Sequence, residues 1–501
     1  MLVPNLDEDE KTLQNLRIRF DAWLLENYTG SLALNLGLSA PFSGHDLQLG
    51  QFQNIIYQTG QTIEDIKQQP LGTCVQGVLK RKFTVNGACA ACGVRPAESR
   101  FSGDEEYRCG TCQREVTLGG HLTKMDFAFW SKDVDLNAKP ANILGLNLYL
   151  VRHGNLPTIG ENILSVRSLN SGALTKPWAP KIIANYIPRF NDDTCFQDDR
   201  YARVQDPDFH FVPGVAKTFA HIGAEALERD EEGHFRGKPF LALLKADVDH
   251  LGIIFAHGLK RGEKAQDRFS LSRLAQLSRM MDLYFTGYLQ GLIKREFSDT
   301  YTIYAGGDDL LLIGPWHRTL DLAVRIEETF RSYTGENPHI TISSGLSLLH
   351  PNQPVNRAVS EAEAFLELAK EEGRNRICAI IGHSLSWDVY RERLADAQWI
   401  HEQMSGKDGV STGFVYRVLE IARDAEAVIL HGEFRKAGWR PRLAYHLARN
   451  LKVKNEYEKK EKIASWLQRL GLEDLLQLGP DRSNILDWRL PVSIALYRNR
   501  R

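Results

Sequence analysis

YTIYAGGDDLLLIG, residues 301–314, places an apolar strand, two glycines, two aspartates and a second apolar strand in immediate succession. Gly306 and Gly307 suit a tight hairpin turn that needs unusual backbone angles, and Asp308 and Asp309 fall where the chain resumes as a strand. On its own the motif reads equally well as a polar surface turn. Upstream, FLALLKADVD (residues 240–249) is an apolar strand that closes on Asp247 and Asp249, where a buried carboxylate is costly unless it is paired or ligates a metal. Two-metal phosphoryl-transfer sites hold their ions roughly 3.5–4 Å apart, so acids must converge from neighbouring strands. Asp247 beside Asp308 and Asp309 would satisfy that requirement.

The surroundings extend this core in both directions. Helical spacing runs from Ser270 to Arg295, from Leu320 to Tyr333 and from Asn356 to Glu372, and HITISSGLSLL (339–349) is a strand. Strands and helices thus alternate as in an α/β or α+β sheet domain. The last of these helices carries AEAFLELAKEEGRNR, in which Lys370 and Arg374 are four apart and share a helix face. Cations there could hold a triphosphate; a solvated helix end with Gly373 as its cap is the alternative. Beyond Ser384 the pattern is helical to the end, with KVKNEYEKKEK as a solvated face or loop. Residues 154–237, rich in Pro, Asn, Asp and Gly, read as a long connection with a short helix near 216–227. The N-terminal region reads as a helix from Lys11 to Tyr28, an alternating strand SLALNLGLS (31–39) and a helix from Gln51 to Gln68. LNLGLSAP (34–41) echoes SSGLSLLHP (343–351), which suggests that the two regions share a fold.

Cys89, Cys92, Cys109 and Cys112 form two CxxC pairs separated by sixteen residues, the spacing of a closed four-thiolate zinc site. Such a site supplies on the order of 10 kcal/mol of folding energy to a segment poor in apolar residues. Cys74, Cys195 and Cys378 are left as packing residues. The acidic start and the lack of any apolar run long enough to span a bilayer point to a cytoplasmic chain without a membrane partner. A formal net charge of -1 gives no global basic field, so nucleic-acid contact must come from local patches or partner subunits.

In their order along the chain, ADVDHLG, AGGDDLLLIGPW and AKEEGRNR resemble the palm nucleotidyl-cyclase superfamily, which includes the GGDEF-type diguanylate cyclases. KADVDHLGIIFAHGL, SRLAQLSR, the two CxxC pairs, STGFVYRVLEIA, WRPRLAYHLARN and IALYRNR narrow the resemblance to the large polymerase-cyclase subunit of type III-A (Csm) CRISPR effector complexes. That resemblance implies an α+β fold with two ferredoxin-like palm domains, a four-cysteine zinc insertion and an α-helical C-terminal domain. The boundaries it implies are an N-terminally shortened first palm at 1–86, the zinc insertion at 87–116 and the remainder of the first palm with a linker at 117–236. The second palm with GGDD follows at 237–384 and the helical domain at 385–501.

By the same resemblance Asp247 and Asp308 would ligate two Mg²⁺ or Mn²⁺ ions with Asp309 in support, and Gly306, Gly307, Lys370, Arg374, Ser344 and Ser39 would contact nucleotide. ATP would be converted into cyclic oligoadenylate when target RNA binds a complex of guide CRISPR RNA and other Csm-type subunits. Guanine-specific relatives carry an asparagine where this chain has Phe255, which favours ATP. The family's usual N-terminal HD nuclease domain is not expected, because only about forty residues precede His45–Asp46, which reads as a loop dipeptide. The chain would then be a truncated form or the product of a shortened or split gene. Two other readings remain open: a non-catalytic palm-fold scaffold of the RNA-guided complex, and a GGDEF-like cyclase using GTP.

Overall fold

The structure is a computed structural model that describes residues 5–47, 51–74, 82–100, 106–122, 124–132, 140–155, 162–169, 181–182, 186–191, 199–201, 204, 213–230, 232–258, 270–405, 409–451, 455–472 and 484–500. The chain divides into two compact units, one of Met1–Ala184 with His250–Leu283, the other of Asn185–Asp249 with Tyr284–Arg501.

The second unit is built round the strand Leu241–Val248, whose residues Leu241 to Leu244 are all fully buried, odd and even positions alike. A strand buried on both faces must be central, and its apolar run reflects that. The six-stranded sheet runs in the order Tyr301–Gly306, Asp309–Pro315, Leu241–Val248, Ile342–Leu349, Arg376–Ala379, Ser384–Ser386. All pairs are antiparallel except Ile342–Leu349 with Arg376–Ala379. Odd-numbered residues of the central strands, such as Leu241, Leu243, Leu311 and Ile313, pack with Ala358 and Ala362 of helix Val355–Glu371. Gly345 makes that approach possible: a Cβ there would lie 2.1 Å from the Ala362 carbonyl oxygen and 2.5 Å from the Leu366 nitrogen. Helix Trp316–Tyr333 covers the same strands and begins four residues before the expected Leu320.

Beyond Ser386 the described residues of the unit are helical, as expected. Helix Trp387–Met404 starts on Ser386 and helix Thr412–His431 on Ser411, each side chain accepting from a backbone N–H of the first turn. Helices Trp439–Asn450, Glu456–Arg469 and Arg489–Arg498 complete a core centred on Trp439, Trp466 and Trp488.

In the first unit a five-stranded sheet has the order Ala141–Ile143, Leu146–Val151, Phe127–Ser131, Ile163–Ser168, Lys181–Ile182. Its wiring repeats that of the second unit: a central strand, then a hairpin on one side, then a strand on the other, then a parallel neighbour. The strands Ile163–Ser168 and Lys181–Ile182 correct the reading of 154–237 as a connection, nearly half of which lies outside the described residues. Ile163–Ser168 (ILSVRS) is too short and too polar to stand out by period alone.

Helices Asp7–Tyr28 and Phe52–Lys67 form where expected, but Ser31–Ser39 is not a strand. Its alternation specifies a face, whereas a strand also needs a ladder partner, and no described strand pairs with it. Leu32, Leu34 and Leu38 accordingly remain exposed. The echo with 343–351 is nonetheless structural. Gly37 lies against helix Phe52–Lys67, where a Cβ would fall 2.2 Å from Ile66 Cδ1, as Gly345 lies against helix Val355–Glu371. Among the described residues no helix is long and apolar enough to cross a membrane.

Candidate active site and four-cysteine cluster

The two-residue loop Gly307–Asp308 closes the hairpin, with Gly306 opposite Asp309 and Gly307 at φ +70°, the sign such a loop requires at its first position. The Asp308 carbonyl accepts from the Val248 N–H at 3.0 Å, which docks the tip onto the end of the central strand. Asp247 is paired directly with Asp309 on one side and with Ser343 on the other. The sequence-predicted acids are therefore brought together at one end of the sheet.

Electrostatics show how close they are. The Asp308 carboxyl is pushed above its ordinary range, first by burial and then by the charges of Asp247 and Asp309, while Lys370 pulls the other way. Lys370 Nζ lies 2.7 Å from Asp247 Oδ2. Burial opposes the charge on Lys370, but its bond to Asp247 outweighs that and holds the amine's pKa above its usual value. Tyr304 donates to Asp309 Oδ2 at 3.1 Å, and its own phenol is pushed upward by burial and then by Asp309. Tyr304 escaped the sequence reading; the only hint was its place five residues before Asp309 on the facing strand.

Three predicted residues behave differently. Arg374 does not share a helix face with Lys370, because the helix ends at Glu371 and Arg374 has a left-handed backbone, φ +61°. Gly373, at φ +129°, ends the helix first, and Arg374 Nη1 turns back to the Lys370 carbonyl at 3.4 Å. Ser344 is buried and, by the two-residue period of a strand, faces away from Asp247, whose cross-strand neighbour is Ser343. Ser39 belongs to the first unit, where its hydroxyl donates to the Ala40 carbonyl. Phe255 lies in helix Leu251–His257 of that unit. His45–Asp46 sits in a turn in which the Asp46 carboxylate accepts from the Ser43 N–H and hydroxyl, each at 2.8 Å.

Asp249 has a role that composition alone could not assign. It is buried, and its carboxylate accepts from Thr341 Oγ1 at 2.8 Å, Ser343 Oγ at 2.7 Å and the Asn375 N–H at 2.9 Å.

In the first unit the four sulphurs of Cys89, Cys92, Cys109 and Cys112 all lie within 4.8 Å of one another, a possible metal site. Cys89, Cys109 and Cys112 are buried. Burial raises the thiol pKa throughout; at Cys92 the N–H groups of Val94 and Arg95 and the Arg95 side chain overcome it and bring the value down to about 6. The buried Arg95, whose Nη2 is 3.6 Å from Cys112 Sγ, supplies the counter-charge that a cluster of thiolates needs. Asp230, Glu232 and His234 also lie within 4.8 Å of one another, but Glu232 and His234 are exposed and Asp230 is engaged by Arg236 at 2.6 Å. Of the remaining cysteines, Cys378 is buried, with its pKa pushed up to about 12 by burial and then by Glu372, Cys74 is half-buried and Cys195 lies outside the described residues.

Residues 240–378 match the family described as Cas10/Cmr2, second palm domain. The chain is 26% identical over 463 residues to the single-strand-specific deoxyribonuclease Cas10/Csm1 (subtype III-A) of Thermococcus onnurineus, covering 84% of this chain and 53% of that protein. It is 25% identical over 461 residues to the Mycobacterium tuberculosis protein of the same description, covering 85% and 52%. The chain thus spans about half the length of these curated relatives. Among solved structures, the Csm1–Csm4 subcomplex of the type III-A CRISPR-Csm interference complex matches with a TM-score of 0.65 at 20% identity, covering 99% of this chain and 60% of that one. A Csm1–Csm4 cassette in complex with cA4 matches at 0.62 and 20% identity, covering 98% and 60%. These likenesses establish the fold.

Proposed function

We infer that this chain, whose homologues are the Cas10/Csm1 large subunits of type III-A CRISPR systems and whose second unit holds a Cas10 palm domain, joins ATP molecules into cyclic oligoadenylate. The observation that carries this reading is the cross-strand placement of Asp247 opposite Asp309 with the Asp308 hairpin tip docked beside them.

Three carboxylates gathered against one lysine form an excess of negative charge, and after burial the charges of Asp247 and Asp309 push the Asp308 carboxyl upward, so the residues fit divalent cations. Asp247 and Asp308 would hold two Mg²⁺ or Mn²⁺ ions, with Asp309 as further support. When bound, the pair would activate a 3′-hydroxyl and neutralise phosphoryl oxygens. The chain's own part is positioning. Gly307 leaves open space where a side chain would stand, so a triphosphate can approach the hairpin backbone. Lys370, freed from Asp247, would turn its ammonium to phosphate oxygens, with Arg374 beside it. The four cysteines would hold a structural zinc, all four as thiolate ligands. We assign the partners as other Csm-type subunits, guide CRISPR RNA and target RNA, in line with the relatives solved as Csm1–Csm4 assemblies.

The assembled complex should be given ATP, Mg²⁺ or Mn²⁺ and matching target RNA, and the products resolved by mass. Cyclic adenylates and pyrophosphate are expected from the wild type, with at least a hundredfold less from Asp308→Ala. Equal yields from the two, or none from the wild type, would sink the reading.

A further inference from the structure

Asp249 lies two residues beyond Asp247, just past the end of the strand Leu241–Val248, yet it is not spent on the carboxylate cluster. It is 1% exposed, and no lysine, arginine or histidine among the described residues pairs with it. A buried carboxylate without a cation is costly unless it is fully hydrogen-bonded, and here two hydroxyls and one backbone N–H do that work. The hydroxyls come from the start of the neighbouring strand Ile342–Leu349 and the residue before it, Thr341, whose carbonyl also accepts from the Asp249 N–H at 2.9 Å. The backbone donor is Asn375.

That donor sits in an unusual segment. Gly373, Arg374 and Asn375 have φ of +129°, +61° and +50°, three consecutive residues in a region that L side chains rarely adopt. The turn must carry the chain from the end of helix Val355–Glu371 into the strand Arg376–Ala379 within four residues. Two non-glycine residues held there require something that over-determines them: the Arg374 N–H bonds the Ala369 carbonyl at 3.1 Å, and the Asp249 carboxylate accepts from the Asn375 N–H. Asp247 and Asp249 therefore grip one short segment twice, through the Lys370 ammonium and through the Asn375 N–H.

We propose that Asp249 is a positioning residue for nucleotide binding: by holding the Gly373–Asn375 turn in its left-handed form it fixes Lys370 and Arg374 relative to Asp247. The proposal rests on the reading of Lys370 and Arg374 as phosphate-binding groups. A loosened turn leaves the acids in place and moves only the cations, so ground-state affinity should suffer more than turnover.

The test compares wild type with Asp249→Asn in the assembled complex, reading KM and kcat for ATP together with binding of a non-hydrolysable ATP analogue by calorimetry. KM and the analogue Kd should rise at least tenfold while kcat stays within threefold. Asn375→Gly, which accepts positive φ without strain and keeps the N–H, should restore most of the KM when added to Asp249→Asn. A KM within twofold of wild type, or no recovery in the double variant, overturns the proposal and leaves adenylate synthesis standing. A wild type that makes no product but binds the analogue tenfold better than Asp249→Asn sinks synthesis and keeps the latch. Absence of analogue binding in both removes both. Should Asp249→Asn fail to fold, Ser343→Ala and Thr341→Val each delete one donor, and each should raise KM two- to fivefold; unchanged values in both overturn the latch.

Discussion

At Asp308 three negative charges meet one positive charge, and the imbalance has a sign that can be measured. A carboxyl whose folded pKa lies above its ordinary value of 3.8 destabilises the fold when ionised. The cost is fully present above the raised pKa, shrinks as pH falls through it and is gone below the ordinary value. Metal-free Asp308→Asn should therefore melt higher than wild type at pH 7, with an advantage that disappears near pH 3; calorimetry across that range checks it, and an advantage that persists at low pH would point to packing instead of charge. The acids of this site were legible because GGDD and the apolar run that closes on Asp247 are each a compact local motif. Asp249's task was not, since its partners Thr341, Ser343 and Asn375 lie 92, 94 and 126 residues away. Arg374 was misplaced for a nearer reason: a glycine that ends a helix also takes the next residue out of helical phase.

Among elements, the seat of helix Val355–Glu371 on the central sheet is the most demanding contact. Gly345→Ala would drive a methyl group into the helix backbone at Ala362 and Leu366, neither of which is a flexible side-chain end. Overpacking of this kind costs about 1–3 kcal/mol, and because the same helix carries Lys370 the displacement should weaken ATP binding as well. Urea unfolding and nucleotide titration on that variant test both halves, and unaltered stability would mean that the helix has room to retreat. Elements were legible wherever period and partner agreed, as in Leu241–Val248 and its hairpin. Ser31–Ser39 shows the converse: pattern fixes which face of a strand would be buried, and only a neighbour makes it a strand. Ile163–Ser168 was missed for the opposite cause, a real partner with a weak pattern.

For the molecule as a whole, two units with separate cores and, on the proposed function, two different kinds of metal site should answer to different ligands. Heating is expected to give two transitions. A thiol-directed zinc chelator should lower only the one belonging to the unit with the four cysteines, and ATP with Mn²⁺ should raise only the other. Scanning calorimetry with each additive decides this, and a single transition moved by both would show that the units melt together. The repeated wiring of the two sheets was announced in sequence only by the Gly-Leu-Ser echo and the family resemblance, because wiring is a matter of long-range pairing while period is local. The stretch from Leu32 to Leu38 has one more effect, outside chemistry altogether. A row of peptide groups with no ladder partner among the described residues and a greasy edge is a template on which copies of the chain can stack, so in a concentrated sample this is where molecules would begin to stick together.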